Sequence, residues 1–184
     1  MSSPTGNEAG ADRQRLFLAL APAEEEKQRL REAVKPFLPD GEARWARQEN
    51  LHMTLIFFGA IDSAVRRCIE TAVAGIRTSG FDLMLDRFGY RPRSRMLWAM
   101  PTETPAALVQ LVGNLRSALQ LQCRIMPESR PFTAHVTLGR QVKRPPKSSR
   151  FTPVTWSIRQ ITLMESVSTT SGTRYLERLA WPLS

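Results

Sequence analysis

The sequence is poor in the residues that metal and thiol chemistry require. Of its 184 residues, only two are histidine and two are cysteine. Cys68 and Cys123 each stand alone, without a CxxC pair or a neighbouring histidine, which argues against a zinc site or a redox pair. Two histidines are also too few for a usual catalytic zinc site, which needs about three protein ligands. We therefore expect no metal and no cofactor, and two buried free thiols in a reducing cytoplasm.

A long apolar run is also missing. No stretch approaches the ~20 apolar residues that a membrane-spanning helix requires, so we expect no membrane span. The segment RLFLALAPA resembles a secretory signal, but its apolar part, Leu16 to Ala21, is about six residues long and falls short of the roughly 7–15 that such a signal needs. We interpret it as a buried strand of the mature fold.

Acidic residues are outnumbered: 17 Asp and Glu stand against 26 Lys and Arg, for a formal net charge of +9. Such a balance favours an anionic partner, and nucleic acid is the commonest one. Two segments concentrate the positive charge, the turn RPRSR at 91–95 and the loop that follows Arg140. They are either solvated loop charges or a path for an RNA backbone, whose binding would depend strongly on salt.

The order of the segments predicts the architecture. Residues 1–12 are small and polar, which predicts a disordered tail, and 13–184 are expected to form one bilobal domain. Apolar periodicity predicts strands near 16–20, 50–58, 81–88, 96–100, 133–140, 156–165 and 174–181, and helices over 24–38, 62–78 and 105–121. A helix precedes a similar strand in each half. We therefore expect an α+β fold of two similar lobes, each an antiparallel sheet backed by helices.

Both histidines open the same four-residue pattern, His-x-Thr-Leu. It occurs in LHMTLIFFG at 51–59 and in AHVTLGR at 134–140. Short motifs carry a false-positive risk, but chance is a poor explanation when every histidine of the chain shares one setting. Since side chains at i and i+2 of a strand share a face, His52 and Thr54 are predicted to point one way and the intervening residue the other, and His135 and Thr137 repeat this.

Two imidazoles facing each other can work as an acid and a base. An ordinary histidine pKa near 6.5 keeps both protonation states accessible, so one ring can accept a proton while the other donates one. Cleavage of a phosphodiester by water needs such a pair, and hydroxyl groups beside it can hold the phosphate oxygens. No serine or cysteine stands in a nucleophile elbow. The residues therefore favour phosphodiester hydrolysis.

These motifs closely resemble those of a known family. HMTLIFFG and RPFTAHVTLGR are similar to the two signatures of the 2H phosphoesterase superfamily, and RLFLALAP and RWARQENLHMTLIFFG add to the likeness. More narrowly, the chain resembles the bacterial and archaeal RNA 2′,3′-cyclic phosphodiesterases, long called 2′-5′ RNA ligases, from about Arg15 to Leu183. Many relatives have proline directly before the second histidine, where this chain has Ala134. That difference removes a backbone restraint but no functional group.

The resemblance implies a fold of two pseudo-symmetric lobes, with both motifs lining a central, basic catalytic cleft. It also implies an activity and a role for each motif. The substrate would be an RNA end with a 2′,3′-cyclic phosphate, opened to a 2′-phosphate. By family assignment, His52 would donate a proton to the 3′ oxygen and His135 would activate water, although the sequence itself cannot order two such similar motifs. Thr54 and Thr137 would bind the phosphate.

Two further residues match the family at equal offsets. Arg140 would be an anion clamp and Phe57 a base-stacking platform. In a regular strand, both would point away from the neighbouring histidine, so a bulge at Gly139 would be needed to turn Arg140 into the cleft. A core aromatic is the competing interpretation of Phe57. Trp98, on a strand beside the basic turn, is another candidate for base stacking.

Two other functions stay open at this point. The chain could act on a small cyclic nucleotide phosphate, or it could be an RNA-binding module without catalysis. A weak 2′-5′ ligase activity would accompany hydrolysis, since the reverse reaction uses the same groups. We expect RNA partners with cyclic phosphate ends, tRNA fragments among them, and a monomer.

Overall fold

The computed structural model describes residues 13–38, 41, 43–126, 128, 130–170 and 172–183. The predicted disordered tail, 1–12, lies outside the described residues. In chain order the elements are β1 (Gln14–Leu20), α1 (Glu24–Val34), β2 (Arg44–Trp45), β3 (Met53–Ile61), α2 (Ser63–Ala74), β4 (Phe81–Arg91), β5 (Met96–Met100), α3 (Ala106–Cys123), β6 (Val136–Arg140), β7 (Arg150–Ile158), β8 (Gln160–Thr169) and β9 (Gly172–Pro182). Short 3-10 helices cover Lys35–Phe37 and Gln48–Asn50.

The strands form two antiparallel sheets. The first sheet has the order β3-β1-β8-β9 and the second β2-β6-β5-β4-β7. Each sheet holds one of the two His-x-Thr-Leu strands, β3 in the first and β6 in the second. The α+β prediction with an antiparallel sheet in each lobe is confirmed.

The helices cross between the lobes. α1 lies against β7 of the second sheet, whereas α3 contacts β3 of the first sheet and packs beside α2. The helix that precedes each histidine strand therefore covers the sheet of the other lobe. A single apolar cluster joins the buried faces of both sheets to the helices. Among the described residues, no helix combines the length and the apolar character that crossing a membrane takes.

Local chemistry fixes the starts of two of these helices. α2 begins after Asp62, whose carboxylate accepts a hydrogen bond from the backbone N–H of Val65 at 2.9 Å. α1 begins after Ala23, whose N–H donates to Glu26 at 2.9 Å, and the other oxygen of Glu26 accepts from the N–H of Ser157 at 2.7 Å. Glu26 thus caps the helix and ties it to β7, which explains why this carboxylate is buried.

The single strand predicted near 156–165 is wrong, because the chain forms two strands there. β7 pairs with β4 in the second sheet and ends at Ile158, and β8 begins at Gln160 and pairs with β1 in the first sheet. The apolar alternation shifts by one position at the two adjacent polar residues Arg159 and Gln160, but no glycine or proline marks the junction. The different partners of the two strands show that the chain changes lobes at Arg159.

The expectation of two free thiols is also wrong. Cys68 of α2 and Cys123 at the end of α3 form a disulfide across 55 residues of sequence. Isolated cysteines at such a spacing give no sign of pairing, because the packing of α2 against α3 is what brings them together. The cytoplasmic location stays a prediction, without the support that free thiols would have lent it.

Candidate active site

The two histidines are braced in the same way. His52 directly precedes β3 and His135 directly precedes β6, and each ring places Nδ1 2.7 Å from the backbone oxygen two residues earlier, that of Asn50 or of Thr133. A carbonyl oxygen can only accept a hydrogen bond, so Nδ1 carries the proton and donates it. In the neutral ring, Nε2 is then left with a free lone pair.

The predicted alternation along both strands is present. Met53 and Leu55 are buried in the core, as are Val136 and Leu138 on the second strand. The side chains of the histidine and threonine between them are only partly exposed, on the face away from the core: His52, Thr54, His135 and Thr137. Each lobe therefore presents an imidazole and a hydroxyl on one side of its sheet.

Both strands carry a bulge at the same place in the motif. Thr54 pairs with Ala19 and Ile56 with Leu18, which leaves Leu55 without a partner. Thr137 pairs with Trp98 and Gly139 with Leu97, which leaves Leu138 without a partner on β5. The leucine of each His-x-Thr-Leu pattern is thus the extra residue of a β-bulge.

The bulges turn the residue three positions after each threonine onto the same face as that threonine. On the first strand this residue is Phe57, which pairs with Phe17, and on the second it is Arg140, which pairs with Arg44. The extra residue lies one position before the predicted Gly139, because the bulge falls at Leu138. Phe57 is 47% exposed, so the interpretation as a core aromatic is wrong.

His52 lies between two aromatic rings. Its centroid is 5.0 Å from that of Phe17 and 4.6 Å from that of Tyr175, which meets it edge-on. Asn50 connects this arrangement to β9, because its amide donates to the oxygen of Thr173 at 3.0 Å and its side-chain oxygen accepts from the N–H of Tyr175 at 3.4 Å. Sequence reasoning missed Asn50 and Tyr175, since β9 meets this site only through tertiary folding.

His135 rests against one aromatic ring. Its centroid is 4.6 Å from that of Trp98, and the guanidinium carbon of Arg91 lies 5.5 Å from the Trp98 ring. Trp98 was a candidate for base stacking, but the imidazole of His135 already packs against it. Arg91 was named only as part of a basic turn, and its closeness to the second histidine is a finding of the structure.

The two imidazoles share one electrostatic environment. Burial lowers the pKa of His52 to about 4, against an opposing effect of its hydrogen bond to Asn50, and the positive charges of His135 and Arg140 lower it further. Burial also lowers the pKa of His135, with a further contribution from Arg91. β3 and β6 contact each other, and the charges of His135 and Arg140 both act on His52, so the structure brings these three side chains close together.

The sequence is similar to a known family of RNA enzymes. A model of the 2′-5′ RNA ligase superfamily matches residues 18–170. The chain belongs to this superfamily. An Escherichia coli RNA 2′,3′-cyclic phosphodiesterase is 32% identical over 177 residues, which cover 93% of this chain and 97% of that protein. A Thermotoga maritima protein of the same name is 27% identical over 175 residues, covering 88% of this chain and 91% of the other.

Solved structures of this superfamily share the fold. Escherichia coli LigT in complex with ATP superposes with a TM-score of 0.83 at 28% identity, over 94% of this chain and 99% of that one. The same protein has also been solved with 3′-AMP and with phosphate. The predicted resemblance to the 2H phosphoesterases is confirmed, and with it the two-lobed fold class.

A cavity lies beside Arg140. The cavity has a volume of about 300 Å³ and is lined by Arg44, Ser94, Met96, Arg140 and Gln141. A separate cavity of about 450 Å³, between α1 and β7, shares none of these residues. In the described part of the chain, no group of three or more histidine, cysteine, aspartate or glutamate side chains could hold a metal ion.

Proposed function

We propose that the chain is an RNA 2′,3′-cyclic phosphodiesterase, which hydrolyses a terminal cyclic phosphate to a 2′-phosphomonoester by metal-independent acid–base catalysis. The observation that carries this proposal is the matched pair of histidines, each with Nδ1 held by a backbone oxygen and close enough for the charge of one to act on the other. The names of the curated relatives support RNA as the substrate class.

The proposed reaction needs one proton accepted and one donated. Nε2 of His135 accepts a proton from water, whose oxygen forms a bond to phosphorus. The bond between phosphorus and the 3′ oxygen breaks, and His52 donates its proton to that oxygen. The phosphate stays on the 2′ oxygen, and exchange with solvent restores both protonation states. The assignment of acid and base follows the family resemblance.

The lowered pKa of His52 places a condition on this mechanism. With a pKa of about 4, His52 is neutral near pH 7 in the free protein and has no proton to give. An anionic phosphate in the cleft raises the pKa of an imidazole because it attracts the charged form, and it offsets the opposing charge of Arg140. We propose that substrate binding protonates His52, so that the donor becomes active only in the complex.

The other residues of the cleft would bind the substrate. The hydroxyl groups of Thr54 and Thr137 would donate hydrogen bonds to the non-bridging phosphate oxygens, where negative charge develops during the reaction. Arg140 would hold the same phosphate by a charge-assisted hydrogen bond. Phe57, exposed and beside the guanidinium of Arg15 at 5.6 Å, would stack on the terminal base.

Several finer points belong to the same proposal. The protein would work as a cytoplasmic monomer built on one domain over 13–184, because its two lobes already complete the site. RNA fragments with cyclic phosphate ends, including those of tRNA, would be its substrates. Weak 2′-5′ ligase activity is expected when a 5′-hydroxyl takes the place of water: its oxygen bonds to phosphorus as His135 accepts its proton, and the bond to the 3′ oxygen breaks as His52 donates a proton to that oxygen.

Two alternatives make different predictions. An enzyme for small cyclic nucleotides would gain nothing from the basic turn and loop that border the cleft, and RNA ends would be no better as substrates. A non-catalytic RNA-binding module would lose affinity when the histidines are removed, but it would have no turnover to lose.

The test is hydrolysis of a short RNA ending in a 2′,3′-cyclic phosphate, in EDTA, with identification of the product. A 2′-phosphate product supports the proposal. A 3′-phosphate would keep the acid–base chemistry but reverse which oxygen leaves, so the proposed orientation of the substrate would be wrong. Absence of turnover on RNA and on small cyclic phosphates, with RNA binding retained, would leave the binding module as the better account.

A further inference from the structure

Two arginines face each other across neighbouring strands beside the catalytic cleft. Arg44 of β2 pairs directly with Arg140 of β6. Like charges directly opposite each other in an antiparallel pair are destabilising. In the described ranges, neither guanidinium has an ion pair with a carboxylate. The pair therefore costs stability in the free protein, and an anion between the two side chains would remove that cost.

A concave space is present at this point. Arg44 and Arg140 line the cavity of about 300 Å³, together with Ser94, Met96 and Gln141. A volume of this size is at the lower end of ordinary ligand pockets. The two guanidinium groups and the hydroxyl of Ser94 are donors suited to phosphate oxygens.

The backbone around the cavity is held in an uncommon conformation. Gln141 in the cavity wall has φ 55, and Arg95, next to Ser94, has φ 49. Side chains other than glycine rarely adopt this left-handed region, and such strain concentrates at binding sites. The N–H of Val142 donates to the oxygen of Arg95 at 3.0 Å, which joins the basic turn to the basic loop.

The cavity therefore opens next to one continuous basic surface. The turn at 91–95 and the loop after Arg140 meet through Val142, whose backbone oxygen also accepts from the hydroxyl of Tyr90 at 3.0 Å. In the first lobe, the residue that matches Arg140 is Phe57, and β3 is an edge strand with no counterpart of β2 beside it. The pair of facing arginines is thus a feature of the second lobe.

We propose that this cavity binds the phosphodiester that joins the terminal nucleotide of the substrate to the nucleotide before it. The inference rests on the proposed function, since an RNA with a cyclic phosphate at its end continues in only one direction. The first anion along that direction is this phosphodiester. Arg140 then lies between the reacting phosphate and its neighbour, and Arg44 contacts the neighbour alone. Arg44 would make the enzyme prefer RNA ends to single cyclic nucleotides.

A matched pair of substrates tests this site. Two dinucleotides ending in a 2′,3′-cyclic phosphate differ only in their linkage, which is either an ordinary phosphodiester or an uncharged methylphosphonate. We expect the charged linkage to raise kcat/KM about tenfold, the size of one charge-assisted hydrogen bond. In Arg44→Gln, the ratio of kcat/KM for the charged linkage to kcat/KM for the uncharged linkage is expected to approach one.

Two further variants control for charge and folding. Arg29→Gln removes the same charge beside the separate cavity between α1 and β7, and it should keep the wild-type ratio. Arg44→Lys keeps the charge without the planar guanidinium and should restore part of the preference. An equal ratio in wild type and Arg44→Gln would overturn the proposal, and so would an equal loss in Arg29→Gln.

Binding separates this inference from the proposed function. The same two linkages can be built into dinucleotides ending in a 2′-phosphate, which cannot react further by this chemistry, and their Kd values can be measured by calorimetry. A tenfold ratio in Kd that disappears in Arg44→Gln supports the cavity as a phosphodiester site even if no turnover is found. A ratio of one overturns it, even if the cyclic substrates are hydrolysed.

Discussion

The two His-x-Thr-Leu strands share their internal geometry but differ in what surrounds them. In each, a backbone oxygen two residues earlier holds Nδ1, the leucine is a bulge, and the residue three positions after the threonine faces the cleft. At that position, the first strand has Phe57 and the second has Arg140. The histidine and threonine are the same in both strands, as expected if one proton is accepted and one donated on opposite sides of a phosphate. Phe57 and Arg140 differ, as expected if the nucleotide places its base on one side and its phosphates on the other.

The surroundings of the two imidazoles differ as well. His52 is enclosed by Phe17 and Tyr175, and its pKa falls to about 4. His135 packs on Trp98, with Arg91 on the same ring. The two imidazoles thus have different neighbours, and we expect their pKa values to respond differently to bound substrate.

Removing either imidazole tests the shared part of the comparison and has the largest expected effect. His52→Ala and His135→Ala should each lower kcat by about 10²- to 10⁴-fold, since each removes one proton transfer. The double variant should be little worse than either single one, because the two groups act as a unit. Steady-state kinetics on a cyclic phosphate RNA measures this. A single variant with kcat near that of the wild type would contradict the paired mechanism.

The disulfide is expected to stabilise the protein from the side of the first lobe, and the second lobe has no counterpart of it among the described residues. It joins the two helices that pack together on the side of the first sheet, and Cys68→Ser with Cys123→Ser removes it. Opening a crosslink across 55 residues should lower the free energy of unfolding by about 2–4 kcal/mol. Denaturant unfolding measures this loss, and kcat at 25 °C should stay unchanged. A large fall in kcat would mean that the helix pair positions β3.

Arg140 and Phe57 test the part of the site that differs. Arg140→Gln should weaken RNA binding about tenfold and reduce the slope of log Kd against log salt by about one, because one phosphate contact is lost. Phe57→Ala should weaken binding by about 1–3 kcal/mol through lost stacking and leave that slope unchanged. Titrations at several salt concentrations separate the two. Equal slopes for both variants would argue against the division into a base side and a phosphate side.

His52 is expected to affect the stability of the folded protein at low pH. Its pKa is about 4 in the folded chain and 6.5 as the reference value, so the unfolded chain binds a proton between these values that the folded chain does not. Stability therefore falls as the pH drops from 7 to 5, by about 2 kcal/mol for this group. His52→Gln should lose correspondingly less in urea unfolding at the two pH values. An identical loss in both proteins would contradict the lowered pKa.

The sequence could predict what depends on local pattern. Alternation around His52 and His135 predicted which side chains share a face, and apolar periodicity predicted most strand and helix positions. The bulges at Leu55 and Leu138 could not be read from the sequence, since leucine in a strand gives no sign that it lacks a partner.

Contacts between segments far apart in the sequence could not be predicted either, because no local pattern indicates them. The Cys68–Cys123 bond, the place of Tyr175 beside His52, and the pairing of Arg44 with Arg140 all depend on tertiary packing. The change of sheet at Arg159 also depends on tertiary structure, because β7 pairs with β4 and β8 pairs with β1. The local sequence therefore predicts the geometry of each His-x-Thr-Leu strand, whereas the residues that surround the two histidines are brought there by the tertiary fold.

The most direct test of the central claim is the pH dependence of kcat/KM on a cyclic phosphate RNA, measured in EDTA for wild type, His52→Gln and His135→Gln. This quantity reports the pKa values of the free enzyme. Because both histidine pKa values are lowered, the account predicts a bell with its maximum below pH 6.5, and a residual activity in each variant that has lost at least one limb. A profile that is flat in wild type, or a bell that survives in either variant, would contradict the paired histidines as acid and base.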